Sequence, residues 1–280
     1  MNPAKISILA PGLIGGSVAL AAARAYPSAQ LFIWSRRQES LAPIQKALPK
    51  AKTGTNLSGA VESDLVLLGA PASALTELVR SLLPHLSANT LVTDVASVKG
   101  PVEKELSPLL RGRAGWIGSH PMAGSEEAGF FAARADLFQN ATVILTPMKS
   151  TPAQTTRDAS EFWKSLGGRV VELTAEEHDR QISRISHLPH AVAATLVRAA
   201  GQKGLPLAGP GYRDTTRVAA GPAPMWAEIL LGNREEILAG LKEFRGQLQD
   251  LEKALENRDA AALANFLEDA AKIRRNLTSP

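Results

Sequence analysis

Ile6-Ser7-Ile8-Leu9-Ala10-Pro11-Gly12-Leu13-Ile14-Gly15-Gly16-Ser17 joins a short apolar run to a glycine turn and an Ala-rich stretch that reaches about Arg24. The order is strand, turn, helix. In the dinucleotide fingerprint the second glycine lets backbone N–H groups approach a pyrophosphate, and the third lets helix pack closely on strand. Gly12 and Gly15 take those two places, with Leu13 and Ile14 between them, and all four are expected to touch a nucleotide. Ala10 stands where the first glycine belongs, a small cost provided that its φ stays negative. An ordinary tight packing turn is the plainer alternative. The following helix favours the nucleotide, because its N-terminal amides and dipole can hold phosphate.

Downstream, Gln30-Leu31-Phe32-Ile33-Trp34 reads as a second strand that ends at Ser35-Arg36-Arg37. An NAD enzyme usually carries Asp or Glu near here, about 20 residues past the glycines. A hydroxyl and two guanidinium groups instead suit a 2′-phosphate, so NADP is expected and NAD is the alternative. Two solvated arginines opening the next helix are the plainer reading. Asp64–Gly69 and Thr90–Val95 look like further strands, each followed by a helical stretch, near 73–83 and 100–110. This alternation predicts a parallel doubly wound α/β sheet of Rossmann type. Ligands of such sheets sit at the strands' C-terminal ends. Gly69-Ala70-Pro71 and Ser97-Val98-Lys99 fall there, which makes Ala70, Pro71 and Ser97 candidate cofactor contacts. Strands at Thr142–Leu145 and Arg169–Leu173 flank a helix near 153–166 and close a nucleotide-binding domain over residues 1–173.

Gly118-Ser119-His120-Pro121-Met122-Ala123-Gly124 reads as a turn after the apolar pair Trp116-Ile117. It places His120 near a strand end, and imidazole is the side chain whose ordinary pKa lies closest to neutrality. His120 is the candidate acid/base; a turn histidine bonded to a nearby carbonyl is the alternative.

From Thr174 the pattern becomes helical, giving an all-helical second domain over residues 174–280. Thr174 and Glu177 make a capping box, and Ile182, Ile185, Val192 and Leu196 mark one face of a long helix. His187 and His190 share a helical face beside Pro189, which should kink the helix. Gly209–Ala219 starts as loop and carries Asp214 and Arg217. Arg217 suits a substrate carboxylate with Asp214 orienting it; a structural Asp–Arg pair is equally natural. Ile237, Leu241, Phe244, Leu248, Leu251 and Leu255 form a seam, continued by Leu263, Phe266, Leu267 and Ile273, that serves either an internal core or a homodimer.

The totals narrow the function. The chain has 280 residues, 45% hydrophobic and 21% charged, with no cysteine. Disulfides, thiolate catalysis and Cys-based metal sites are thereby excluded, and no metal is expected. The net charge of +4 is scattered, which suits an anionic small molecule better than nucleic acid. No membrane span or signal peptide is read, so a cytoplasmic protein is expected. An appended regulatory segment is not expected.

Five stretches together resemble the prephenate/arogenate dehydrogenase family of tyrosine biosynthesis. They are Gly12–Ser17, Asp94–Lys99, Gly118–Gly124, Ser186–His190, and Asp214–Arg217 with Pro224-Met225-Trp226. The resemblance covers nearly the whole chain. It implies a Rossmann domain, a helical dimerisation domain, and oxidative decarboxylation of a cyclohexadienol. His120 is then the base, poised near neutral pH, and Ser97 bonds the same hydroxyl and helps fix the imidazole. Arg217 binds a substrate carboxylate, His190 and His187 contact the anionic end, and Trp226 shapes the pocket. Glu126 has three readings: attraction for arogenate's ammonium, opposition to prephenate's side chain, or the start of a helix. The rivals are another NAD(P)-dependent oxidoreductase, of β-hydroxyacid dehydrogenase or imine reductase type, and a non-catalytic nucleotide sensor.

Overall fold

The computed structural model describes residues 1–125 and 127–277. Its first half runs β1 (Lys5–Leu9), α1 (Leu13–Ala25), β2 (Gln30–Trp34), α2 (Ala42–Ala47), β3 (Lys52–Gly54), β4 (Leu65–Leu68) and α3 (Ala72–Leu82). It continues with β5 (Leu91–Asp94), α4 (Gly100–Leu110), β6 (Gly115–Pro121), β7 (Thr142–Thr146), α5 (Ala153–Ser165) and β8 (Arg169–Glu172). Six helices follow: α6 (Ala175–Ile182), α7 (Leu188–Ala200), α8 (Pro210–Thr216), α9 (Ala223–Gly232), α10 (Arg234–Glu256) and α11 (Ala260–Arg275). None of the described helices is long and apolar enough to cross a membrane.

The eight strands form one sheet in the order β3-β2-β1-β4-β5-β6-β7-β8. Strands covered on both faces need no polar side, and β4 is accordingly four buried apolar residues in a row. Successive β1 side chains serve opposite cores. Ile6 and Ile8 join Val18, Ile33, Phe162 and Trp163 on one face, while Leu9 joins Val66, Leu68, Val79 and Leu106 on the other. The order reverses between β1 and β4, which opens a crevice at their C-terminal ends.

Three expectations need correction. The sheet is not wholly parallel: β6 pairs antiparallel with β7, His120 lying opposite Ile144. A parallel return needs a crossover helix, and among the described residues the connection here holds only the short helical turn Phe130–Ala132. For the same reason Gly118–Pro121 is strand rather than turn, since β7 doubles back along it. Third, Ala10 has φ +64, the left-handed region, because its carbonyl turns to accept the Gly12 amide at 2.9 Å. A Cβ disfavours that conformation by roughly 1–2 kcal/mol, partly offset by the greater chain entropy of glycine. Ala10→Gly is therefore expected to stabilise the fold by about 0.5 kcal/mol. Thermal unfolding checks this, and an unchanged or lower Tm counts against it.

In the helical half the Thr174 and Glu177 capping box forms as expected. The anticipated kink takes the form of a wide π turn, Ser183–His187, that joins α6 to α7 just before Pro189. Proline has no N–H to offer, and the wider turn absorbs that gap without breaking the rod. Gly209–Ala219 is mostly helical rather than loop. The apolar seam is buried only at its start. Ile237 is 5% exposed, but Leu248 is 47% and Leu255 59% exposed, and no α11 residue is buried. Ile185 and Leu196 are likewise open to solvent in the single chain.

Candidate active site

The loops after β1 and β4 meet β2's end around a cavity of about 750 Å³. Ala10, Pro11, Gly12, Gly69, Ala70 and Pro71 line its floor, and Ser35, Arg36 and Arg37 line it beyond β2. Gly12 caps α1 without a side-chain bond, and the helix has no acid in its first turn, so its amide ends stay available to an anion. Close packing fixes two other glycines. A Cβ at Gly15 would meet the Ala10 carbonyl oxygen at 2.9 Å, and one at Gly69 would meet it at 2.6 Å. The cavity's size, bare amides and exposed guanidinium groups fit a pyridine dinucleotide. Leu13, Ile14 and Gly15 stand behind the lining on α1, and Ser97 lies farther along the sheet, after β5.

His120, 8% exposed, projects from β6 near its C-terminal end. Its Nδ1 lies 2.8 Å from His178 Nε2, and His178 Nδ1 lies 2.8 Å from Asp179 Oδ1. The Lys99 and Gly100 amides also donate to the Asp179 carboxylate, each at 2.8 Å. Burial, then the neighbouring His178, Lys99 and His187, hold the His120 pKa well below the ordinary imidazole value. This corrects the expectation of a base poised near neutrality: burial and its neighbours disfavour the charged ring. Burial works to raise the Asp179 pKa, but the bonds from His178, Lys99 and Gly100 together keep it below the usual carboxylate range. The imidazole is thus fixed by His178 rather than by Ser97; among the described residues no bond joins Ser97 to the ring.

Beneath this chain, the buried Lys99 ammonium bonds an Asp94 oxygen and the Ser119 carbonyl. It pins β5 to β6, and Gly118 leaves room for it: a Cβ there would meet Thr146 Oγ1 at 2.5 Å and the Lys99 stem at 3.3 Å.

The other wall comes from the helical half. His187 and His190 are buried, and the His190 ring stacks on Trp226 with centroids 3.5 Å apart. His187 Nε2, His190 Nδ1 and Tyr212 Oη are buried without a hydrogen-bond partner. Unpaired buried polar atoms are rare, and three in one region suit a polar ligand. Gly221 makes room for the indole, whose Nε1 lies 2.5 Å from where a Cβ would stand. Arg217 opens the turn Arg217–Ala220, which packs against α7, and Asp214 is exposed on α8. α9 is tethered to the nucleotide half: Glu228 accepts from the Ser73 amide at 2.7 Å and hydroxyl at 3.1 Å, beside Pro71. Glu126 lies outside the described residues.

Four buried histidines have lowered pKa values, His187 to about 4, with burial the first cause for each. The unfolded chain then binds protons that the folded chain refuses, so stability rises with pH between the folded and unfolded values. For His187 alone this amounts to about 1.4 kcal/mol per pH unit, over a window from 6.5 down to about 4. Tm should fall steadily on acidification from pH 7 to 5; a flat profile would show that the folded histidines take up protons as readily as those of the unfolded chain.

Bare helix amides at the switch point of a doubly wound sheet, with a buried histidine at the end of another strand of the same sheet, are the frame of a pyridine-nucleotide-dependent dehydrogenase. Residues 34–172 match the family model for the prephenate dehydrogenase nucleotide-binding domain, and residues 174–269 match that for its dimerization domain. The chain belongs to the prephenate dehydrogenase family. It is 33% identical to prephenate dehydrogenase of Lactococcus lactis over 97% of its length and 77% of that protein. Among solved structures, prephenate dehydrogenase from Aquifex aeolicus, in complex with hydroxyphenyl propionate and NAD+, superposes with TM-score 0.88 at 28% identity, covering 98% of each chain. Synechocystis arogenate dehydrogenase gives 0.82 at 30% identity, covering 98% of this chain and 100% of that one.

Sequence reading missed His178, Asp179 and Asn233, and quoted Asp94 and Lys99 without giving them roles. The one local signal was position: His178-Asp179 directly follows the capping box, in the first turns of a helix.

Proposed function

We propose that the chain catalyses the NADP-dependent oxidative decarboxylation of a cyclohexadienyl acid, arogenate to tyrosine or prephenate to 4-hydroxyphenylpyruvate. The observation that carries this reading is the buried His120–His178–Asp179 chain, in a fold whose helical half also buries His187 and His190 and stacks His190 on Trp226. A bound nicotinamide supplies the hydride acceptor. His120 takes the hydroxyl proton as hydride leaves the carbinol carbon. The ring carboxylate departs as carbon dioxide, and its bonding pair enters the ring, which becomes aromatic as the oxygen regains a proton. Ser97 hydrogen-bonds the same hydroxyl. Arg217, oriented by Asp214, binds a substrate carboxylate, while His190 and His187 contact the anionic end and Trp226 walls the pocket. The protein's part is chiefly alignment of donor, acceptor and base.

Ser35, Arg36 and Arg37 read the 2′-phosphate of NADP. Replacing both arginines with Gln should weaken NADP binding by about 10- to 100-fold, as befits lost charge-assisted bonds, and leave NAD within about twofold. Trp34 lines the cavity, so fluorescence quenching reports both affinities. Equal loss for the two nucleotides would refute the assignment. Two copies of the chain pair through the helical half, covering Leu248, Leu255, Leu267 and Ile273, which a single chain leaves exposed.

The function is tested by four initial rates of nicotinamide reduction, with prephenate or arogenate crossed with NAD or NADP. Turnover with NADP leading is expected. Silence in all four, from folded protein that still binds a nucleotide, would overturn the reading in favour of another oxidoreductase or the sensor.

A further inference from the structure

We propose that His178 and Asp179 are positioning residues that hold His120 in a single tautomer, with Nδ1 protonated and Nε2 left bare as the proton-accepting atom. The inference rests on His120 being the base, and it adds which of the two ring nitrogens acts and what selects it.

The geometry leaves one consistent placement of protons. Asp179 already accepts from two backbone amides, so it acts as a carboxylate acceptor. The 2.8 Å contact between its Oδ1 and His178 Nδ1 therefore needs a proton on that nitrogen. Burial, and the charge of Lys99, keep the His178 ring neutral against the pull of Asp179. A neutral ring protonated at Nδ1 has a lone pair at Nε2. That lone pair faces His120 Nδ1 at 2.8 Å, so the shared proton belongs to His120. His120 is neutral as well: burial opposes a proton there, and so do Lys99 from the α4 side and any charge that the His178 or His187 ring would gain from the helical rod. Its one proton being spent on Nδ1, Nε2 is bare, and among the described residues it has no hydrogen-bond partner.

The support of the chain is itself fixed. Asp179 is 7% and His178 0% exposed. Asn233, also buried, donates to the Asp179 carbonyl at 2.7 Å and reaches toward His187 Nδ1 at 3.2 Å. One strand and two helices thus agree on the orientation of a single imidazole. Were Asp179 unable to accept, His178 would be free to turn its proton toward His120, and the base would be lost to the wrong tautomer.

The test is a long-range ¹⁵N–¹H correlation spectrum of the intact chain labelled at its five histidines, with His120 and His178 assigned through His120→Gln and His178→Gln. The expected pattern at neutral pH is a protonated Nδ1 and bare Nε2 for both rings. A wild-type His120 protonated at Nε2 overturns the proposal. Kinetics provide the second measurement. His178→Phe removes the acceptor and should lower kcat by about 30- to 100-fold with KM within about threefold, in the range seen when the support of a working group is lost. His178→Gln, whose carbonyl can still accept from His120 Nδ1, should recover most of that loss. Unchanged kcat in His178→Phe, or no recovery with Gln, counts against a positioning role. The base assignment fails separately: His120→Gln would then retain turnover, whatever tautomer the wild-type spectrum reports.

Discussion

Replacing His120 with Asn should lower kcat by about three orders of magnitude, within the range of a lost general base, and leave nucleotide affinity within about twofold. Asn is the informative choice because its amide nitrogen can stand where Nδ1 stood and still donate to His178 Nε2. Alanine would leave that buried nitrogen unpaired, at about 1–3 kcal/mol, and mix a folding defect into the kinetics. The nucleotide cavity contains no part of His120, so binding and chemistry should separate cleanly. The pH profile gives a second reading. The His120 pKa is lowered, so the base stays unprotonated as pH falls past the ordinary value of 6.5. The acid limb of kcat/KM is accordingly expected below 6.5, and a limb at or above it would show that the ring is not so insulated.

Lys99→Met should destabilise the fold by about 3–5 kcal/mol, the usual result of removing one partner from a buried ion pair. Lys99 is 1% and Asp94 0% exposed, and the ammonium also satisfies the Ser119 carbonyl. The Ala96 amide at 2.9 Å and the Ser119 amide at 3.3 Å still donate to Asp94, but neither neutralises it. Adding Asp94→Asn removes the stranded charge and should restore most of the loss. Urea midpoints for the three proteins check this; a single-variant cost under about 1 kcal/mol would mean that the pair is solvated. Where the single variant folds, its acid limb should move to higher pH, because a positive charge that opposes protonation of His120 is gone.

Much of this was legible in the chain because local rules sufficed. The β1 turn, the second strand ending at Trp34, and the Thr174 capping box each depend on residues within a few positions of one another. The antiparallel β7 was not legible, since a strand's direction depends on what its connection lacks as much as on its own residues. Ala10 misled for a related reason: the turn dictates φ, and a sequence records only the residue that tolerates it. At the site, His120, His187 and His190 stood out as histidines beside glycine or proline. His178 and Asp179 did not, for they gain meaning only when α6 crosses the end of β6, 58 positions along the chain from His120 to His178. The seam on α10 and α11 was readable as apolar spacing, but what covers it was not, since the single chain leaves most of it exposed.

The π turn at Ser183–His187 also bears on how the site can vary. One residue in a helix is worth about 100° of rotation, so a widened turn resets the direction that everything beyond it faces. Before it, α6 aims His178 and Asp179 at the strand end; after it, α7 aims His190 at the Trp226 ring. The turn works as a phase coupling between two gears on one shaft. Lengthening or shortening it by a residue would turn His190 relative to His178 and also move Asn233, which braces Asp179, so one short segment sets both ends of the histidine cluster at once.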